Sequence, residues 1–169
     1  MTSRAVLSAG SNIGDSVGLL RSVLDAAGDE LVATSDVYRT APWGGVEQDD
    51  FVNVTLIVAG DRTPREWLEF CRECERAAGR VRDVRWGPRT LDVDVVHVDV
   101  DGEPVTSDDP ELTLPHPRAG QRAFVLVPWL QIDPDAELAI EGERRRVVDL
   151  IADLDGAEVA GVRRAEVLR

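Results

Sequence analysis

The stretch Arg85-Trp86-Gly87-Pro88-Arg89-Thr90-Leu91-Asp92-Val93-Asp94 runs on into Val95-Val96-His97-Val98-Asp99-Val100, so an arginine-bracketed Gly-Pro turn precedes a valine-rich run headed by two carboxylates. The β-branched residues predict a strand over 91–100. Side chains alternate between the faces of a strand, which aims Asp92 and Asp94 the same way, about 7 Å apart along the chain. Aspartate is scarce in strand interiors, because two like charges on a half-buried face repel each other and lose hydration. Such a pair needs a solvated edge or a cation. Hard oxygen ligands on one or two Mg²⁺ ions, with phosphate oxygens filling the shell, satisfy it. The carboxylates alone leave a solvated strand start and a metal site equally open, and the arginines beside them favour the metal site.

Those arginines form an island. From Arg76 to Arg89 there are five (76, 80, 82, 85 and 89) against the single acid Asp83, a local charge of +4 in a chain of formal charge −13. Such acidity argues against non-specific binding to nucleic acid or to an anionic membrane, which needs a broad basic surface. An anionic ligand is therefore captured locally. All 19 basic residues are arginine. With no lysine, a P-loop of the usual kind, a Schiff base and a lysine general base are excluded, and phosphates are gripped by guanidinium forks. Gly79, Gly87 and Pro88 suggest a loop that closes over a polyphosphate and then releases it. A second cluster, Leu114-Pro115-His116-Pro117-Arg118-Ala119-Gly120-Gln121-Arg122-Ala123-Phe124, repeats the chemistry with one histidine and two arginines.

Working outward, strand and helix signals alternate. Arg4 to Ala9 reads as a strand and Asp15 to Ala27 as a helix with apolar positions 17, 20, 23, 24 and 27. Val32 to Thr40 and Phe51 to Ala59 read as strands flanking a loop with Pro42, Gly44 and Gly45. Thr63, Pro64 and Glu66 spell a capping box with proline at the first helical position, and Gly79 marks the stop near Ala78. Asp101-Gly102 is a hairpin signal. The order β-α-β-β-α-β predicts an α+β, ferredoxin-like core, an antiparallel sheet with its helices on one face, followed by C-terminal additions. Helices are expected near 118–130 and 147–154, and the tail 156–169 stays unassigned.

With 169 residues, 43% of them hydrophobic, the chain is the size of a single domain, 1–169. No apolar run approaches a membrane span and no signal peptide is legible, so a cytoplasmic protein is the default, with no nucleic-acid or membrane partner. Oligomeric state is not readable, and a monomer is favoured. Cys71 and Cys74 have redox or zinc spacing, but they lie on one helical face with 67, 70, 77 and 78 and read as small core residues.

Four segments resemble the 6-hydroxymethyl-7,8-dihydropterin pyrophosphokinases of folate biosynthesis: Leu7 to Asp15, Tyr38 to Asn53, Gly79 to Asp94, and Pro115 to Phe124. The resemblance spans roughly residues 5 to 155. It implies transfer of pyrophosphate from ATP to the hydroxymethyl group of a reduced pterin, releasing AMP. It further implies that Asp92 and Asp94 hold Mg²⁺, two ions in all, and that Asp92 helps orient the attacking hydroxyl. Arg80, Arg82 and Arg89 match arginines that neutralise the triphosphate, and together with the two aspartates they are the expected catalytic set. His116 and Arg122 match further ATP contacts, and Glu75 a position near the nucleotide. Asn53, with backbone groups around Thr40, Pro42 and Trp43, matches the pterin site, where Phe51 and Phe124 sandwich the ring, and Trp86 matches the loop tryptophan that helps seal the site against water. Ala9 stands where leucine is frequent, and Phe51 where an aromatic hydroxyl occurs. Two other classes share parts of the pattern, a non-catalytic binding module and a metal-dependent phosphohydrolase with His116 as base.

Overall fold

Helix formation in the second βαβ half is dictated locally. Thr63 Oγ1 accepts from Glu66 N at 3.1 Å while Glu66 Oε1 accepts from Thr63 N at 3.2 Å, closing the box that starts the helix Pro64–Ala77. Gly79, at φ +69°, supplies the left-handed residue that ends it. The computed structural model describes residues 1–41, 50–79 and 91–168. In chain order the elements are β1 (Ser3–Ser11), α1 (Ser16–Ala27), β2 (Leu31–Thr34), β3 (Val37–Thr40), β4 (Phe51–Gly60), α2 (Pro64–Ala77), β5 (Asp92–Val100), β6 (Glu103–Pro104), β7 (Ser107–Asp109) and β8 (Leu112–Leu114). They continue as α3 (Ala123–Ile132), β9 (Glu137–Ile140), β10 (Glu143–Arg146), α4 (Val147–Ala152), α5 (Gly156–Ala160) and β11 (Arg163–Glu166).

The main sheet is antiparallel in the order β11-β3-β4-β1-β5-β6, with β2 also on β4. β1 thus lies between β4 and β5, the split βαβ pattern read from the sequence. The expected strand 32–40 is two strands: between them Ser35 N donates to Thr55 O, and Ser35 Oγ accepts from Thr55 N at 3.0 Å, so side-chain bonds interrupt the ladder. The Asp101-Gly102 turn has φ of +49° and +84° at its two residues, as the hairpin signal required.

The two helices of the core pack on one face, as expected, and the C-terminal helices cover the other. α1 (Leu20, Val23, Ala27) and α2 (Trp67, Phe70, Cys71, Cys74) bury Ala5, Leu7, Ala9, Val52, Val54, Leu56, Val93, Val95 and Val98 on one side. The other side carries Val6, Ile57 and Val96 under α3 and α4, through Val125, Leu126, Trp129, Val147 and Leu150. The second layer comes from the C-terminal additions, and it is required because β1 and β4 carry apolar residues on both faces. The expected helix from 118 begins instead with a 3₁₀ turn, Ala119–Gln121, before α3. The tail forms α5 and β11, and β11 pairs with β3.

A bulge in β5 decides which side chains reach which layer. Leu7 pairs with Val95 and Val6 with His97, leaving Val96 as the extra residue. Val93, Val95 and Val98 therefore reach the α1/α2 core while Val96 turns to the α3 side. Cys71 and Cys74 are free and buried, and burial first of all raises both thiols, Cys74 to about 11. They sit as core residues, as their helical spacing predicted.

Candidate active site

Two cross-strand rows assemble the polar end of the α3-side face. Asp92 is the ladder partner of Gly10, Gly10 of Asn53, and Asn53 of Tyr38; beside that row, Asp94 partners Ser8, and Ser8 partners Thr55. Two strand spacings put the backbone of Asp92 about 10 Å from that of Asn53. Only Gly10 lies between them, and a Cβ built there would stand 2.8 Å from Asn53 Oδ1. The missing side chain leaves the space over β1 to the Asn53 amide, which reaches from its own strand toward the carboxylates.

Asn53 is 4% exposed, and its Nδ2 donates to Thr40 Oγ1 at 3.0 Å, which orients the amide. Phe51 pairs with Thr40 across the same two strands. The neighbouring strand is tied to α3 by Gln131 Oε1, which accepts from Asp36 N and from the Tyr38 hydroxyl, each at 2.9 Å. Burial raises the Tyr38 phenol above its ordinary range, so it remains a donor there. At the carboxylate end, the Arg122 guanidinium lies 5.5 Å from the centre of the Phe124 ring, and its Nη1 is 3.8 Å from Asp94 Oδ2. Thr55 donates to Val125 O at 3.2 Å, fixing the start of α3 over β4.

His116 is anchored through its main chain, its N donating to Val96 O at 2.9 Å. Its Nδ1 accepts from Arg118 N at 3.2 Å, which leaves Nε2–H as the outward donor of a neutral ring. Burial first, then the Arg122 and Arg118 charges, push its pKa down to about 4 against an opposing pull from Asp92. Glu75, from α2, approaches from the opposite layer, and its Oε2 accepts from Val93 N at 3.0 Å. Pro42, Trp43, Arg80, Arg82, Trp86 and Arg89 lie outside the described residues.

The donor set suits one kind of metal. Asp92 and Asp94 offer hard oxygens on one face, and the side chain of Asp94 is 37% exposed. Among the described residues no cluster of three or more His, Cys, Asp or Glu forms a closed cage. Two carboxylates without a cage match Mg²⁺, which keeps waters and takes substrate phosphates as further ligands. Reading the sequence did not single out Gly10, Ser8, Tyr38 or Gln131. Of these only Gly10 carried a signal, a glycine inside a strand pattern.

The profile of the 7,8-dihydro-6-hydroxymethylpterin-pyrophosphokinase family matches residues 6–134. The chain belongs to this family. A 2-amino-4-hydroxy-6-hydroxymethyldihydropteridine pyrophosphokinase of Mycobacterium tuberculosis is 52% identical to it over 167 residues, covering 95% of this chain and 88% of that protein. A namesake from Methylorubrum extorquens is 42% identical over 167 residues, covering 96% and 99%. As a pyrophosphokinase of this family the chain transfers pyrophosphate to hydroxymethyldihydropterin in folate biosynthesis. A crystal structure of wild-type Plasmodium falciparum HPPK-DHPS with STZ-DHP shares the fold, with a TM-score of 0.61 at 13% identity. That match covers 90% of this chain and 41% of the longer protein. No helix among the described residues of the pyrophosphokinase is long and apolar enough to cross a membrane. A hollow of about 220 Å³ elsewhere on the molecule includes Arg4, His97, Asp99 and Trp129. It lies some six residues along β1 from Gly10, roughly 20 Å at strand rise, and takes no part in the site.

Proposed function

We propose that this pyrophosphokinase uses ATP as its donor and Mg²⁺ as its metal, and that the reaction takes place over Gly10. The observation that carries this reading is the row in which Asp92 faces Asn53 across Gly10, with Asp94 beside it in the row of Ser8 and Thr55. An amide and a pair of carboxylates in line match a ligand that is both a hydrogen-bonding heterocycle and an alcohol. Its ring exchanges amide hydrogen bonds with Asn53, which Thr40 orients, and its hydroxymethyl arm extends toward the carboxylates. Phe51 and Phe124 supply aromatic faces for the ring, and backbone groups near Pro42 and Trp43 complete its edge.

The hydroxyl oxygen of the pterin bonds to the β-phosphorus as the bond from that phosphorus to the AMP oxygen breaks, and the hydroxyl proton passes to solvent. Asp92 orients the hydroxyl for attack, which converts binding energy into alignment. Bound Mg²⁺, two ions in this reading, supplies charge neutralisation at the phosphate oxygens, held by Asp92 and Asp94. Arg122 is drawn to carboxylate charge at 3.8 Å and is within reach of a phosphate. His116 offers a neutral Nε2–H donor. Arg80, Arg82 and Arg89 neutralise the triphosphate and Trp86 helps exclude water from it. The whole chain, 1–169, acts as one pyrophosphokinase domain, a cytoplasmic monomer. Its formal charge of −13 supports small-molecule ligands rather than nucleic acid or anionic membrane.

The test is AMP formation from ATP and Mg²⁺, with and without 6-hydroxymethyl-7,8-dihydropterin, using Asp92→Ala as the control. Pterin-dependent AMP that vanishes in the variant is expected. Phosphate released from ATP alone points to a hydrolase, and binding of both ligands without turnover points to a binding module.

A further inference from the structure

The geometry points to Glu75 as a positioning residue for the Asp92/Asp94 pair, acting through the main chain of β5 rather than through the nucleotide. This rests on the pyrophosphokinase reading for what the pair does. β5 is paired along one edge with β1, from Gly10↔Asp92 to Ser3↔Val100. Its outer edge is covered piecemeal. β6 reaches only Asp99 and Val100, Val98 O accepts from Val105 N at 2.9 Å, and Val96 O accepts from His116 N at 2.9 Å. Further toward the site, the acceptor on that edge among the described residues is a side chain, and Val93 N donates to Glu75 Oε2 at 3.0 Å.

Val93 is the residue between the two carboxylates, and its own side chain is buried in the α1/α2 core. Its amide is therefore the point at which the outer edge of the Asp-Val-Asp turn of chain can be held without touching either aspartate. The carboxyl oxygen satisfies that amide at an ordinary hydrogen-bond length, and the 8% exposure of Glu75 keeps water from competing for it. Glu75 also stands four residues before Gly79, which ends α2 and leads into the arginine-rich segment. One buried carboxylate thus ties the helix that launches the arginines to the strand that carries the metal-type pair. Partners behind a metal's own ligands set ligand orientation, and losing one costs about 10- to 100-fold in affinity or activity.

The test compares Glu75→Gln, which keeps an oxygen acceptor, with Glu75→Leu, which removes it, in the full chain. Three measurements are made: hydrogen exchange at the Val93 amide by NMR, Mn²⁺ affinity by calorimetry with a non-hydrolysable ATP analogue present, and pterin-dependent AMP formation against Mg²⁺ concentration. Glu75→Gln is expected to keep Val93 protection, Mn²⁺ affinity and activity near those of the parent. Glu75→Leu is expected to lose the protection and to weaken Mn²⁺ binding about 10- to 100-fold, with the KM for pterin little changed. Unaltered Mn²⁺ affinity in a folded Glu75→Leu overturns the proposal and leaves Glu75 an edge-capping residue. Glu75→Gln impaired in Mn²⁺ binding overturns it too, since the charge would then be acting directly; this second comparison decides the matter if the leucine variant does not fold. Absence of pterin-dependent AMP in the parent protein would count against the pyrophosphokinase reading, while the exchange and Mn²⁺ comparisons still judge the role of Glu75.

Discussion

The two faces of strands β4, β1 and β5 are built from alternate residues of the same segments, yet they do different things. Toward α1 and α2 the run Val54, Leu56, Val58 faces Ala9, Leu7, Ala5 and then Val93, Val95, Val98, all buried. Toward α3 the same strands present Asn53 and Thr55, Gly10 and Ser8, Asp92 and Asp94 at one end, and Val6, Ile57 and Val96 at the other. One face is core throughout, and the other is core for half its length and chemistry for the rest. A rigid apolar layer behind a polar row holds the row still, which is what a reaction dependent on alignment requires. If the division of labour is real, substitutions on the two faces should separate activity from stability. Asp94→Ala tests the polar side: pterin-dependent AMP formation should fall roughly 1,000-fold, a loss of several kcal/mol of charge stabilisation. Its far-UV circular dichroism and melting should change little, and substantial turnover in Mg²⁺ would remove Asp94 from the metal site.

The apolar side predicts the opposite split. Leu20 is fully buried between α1 and the sheet, so Leu20→Ala should destabilise the fold by about 2–5 kcal/mol through lost burial and a residual cavity. Activity per folded molecule, measured well below the lowered melting temperature, should stay near that of the parent. A large fall in turnover without loss of stability would show that the α1/α2 layer does more than support. A subtler variant sits between the two faces. Gly10→Ala adds a Cβ 2.8 Å from Asn53 Oδ1, so the amide must move away from its place over β1. The KM for pterin should rise about tenfold, equivalent to about 1.4 kcal/mol, with the Mg²⁺ dependence unaffected. An unchanged pterin KM would disconnect Asn53 from the substrate.

Much of this contrast was legible in the sequence, and where it was not the reason is physical. The capping box at Thr63 to Glu66, the Gly79 stop and the Asp101-Gly102 turn are local signals, and local structure followed them. The shared face of Asp92 and Asp94 follows from a period of two. That period fails two residues after Asp94, at the Val96 bulge, which strict alternation cannot foresee and which returns Val98 to the core. β11 was unreadable because its four residues are all exposed and carry no alternation. It is held by partners far away in the chain, Arg163 with Asp50 at 3.0 Å, Arg164 with Asp36 and Glu166 with Arg39 at 3.6 Å. The second helical layer was not foreseen for a similar reason, since Val6, Ile57 and Val96 announce a buried face without naming its cover. At the site, the carboxylates and Asn53 carry recognisable chemistry, whereas Ser8, Gln131 and the Glu75–Val93 bond acquire meaning only through tertiary pairing.

His116 offers the gentlest probe, because it stands where the polar face meets the chain that covers the edge of β5. Its pKa lies at about 4, held down by burial and by the arginines at 122 and 118, against an ordinary 6.5. The unfolded chain therefore binds a proton at this histidine that the folded chain refuses between those two values. Stability rises with pH wherever the unfolded state holds more protons, so this contribution is complete above about pH 6.5 and declines as pH falls toward 4. His116→Gln removes the titration while keeping a side chain that can both donate and accept. Denaturant melts of the parent and the variant across pH 4 to 7 should show a shallower acid-side decline in the variant. The parent's activity should show no inflection from His116 near neutrality, because the ring stays neutral there and serves as a donor through Nε2–H. Parallel stability curves would mean that His116 is solvated and titrates normally. The arginines at 118 and 122 would then have to discharge their repulsion elsewhere, and the neutral donor at the edge of the polar face would be lost from the reading of the site.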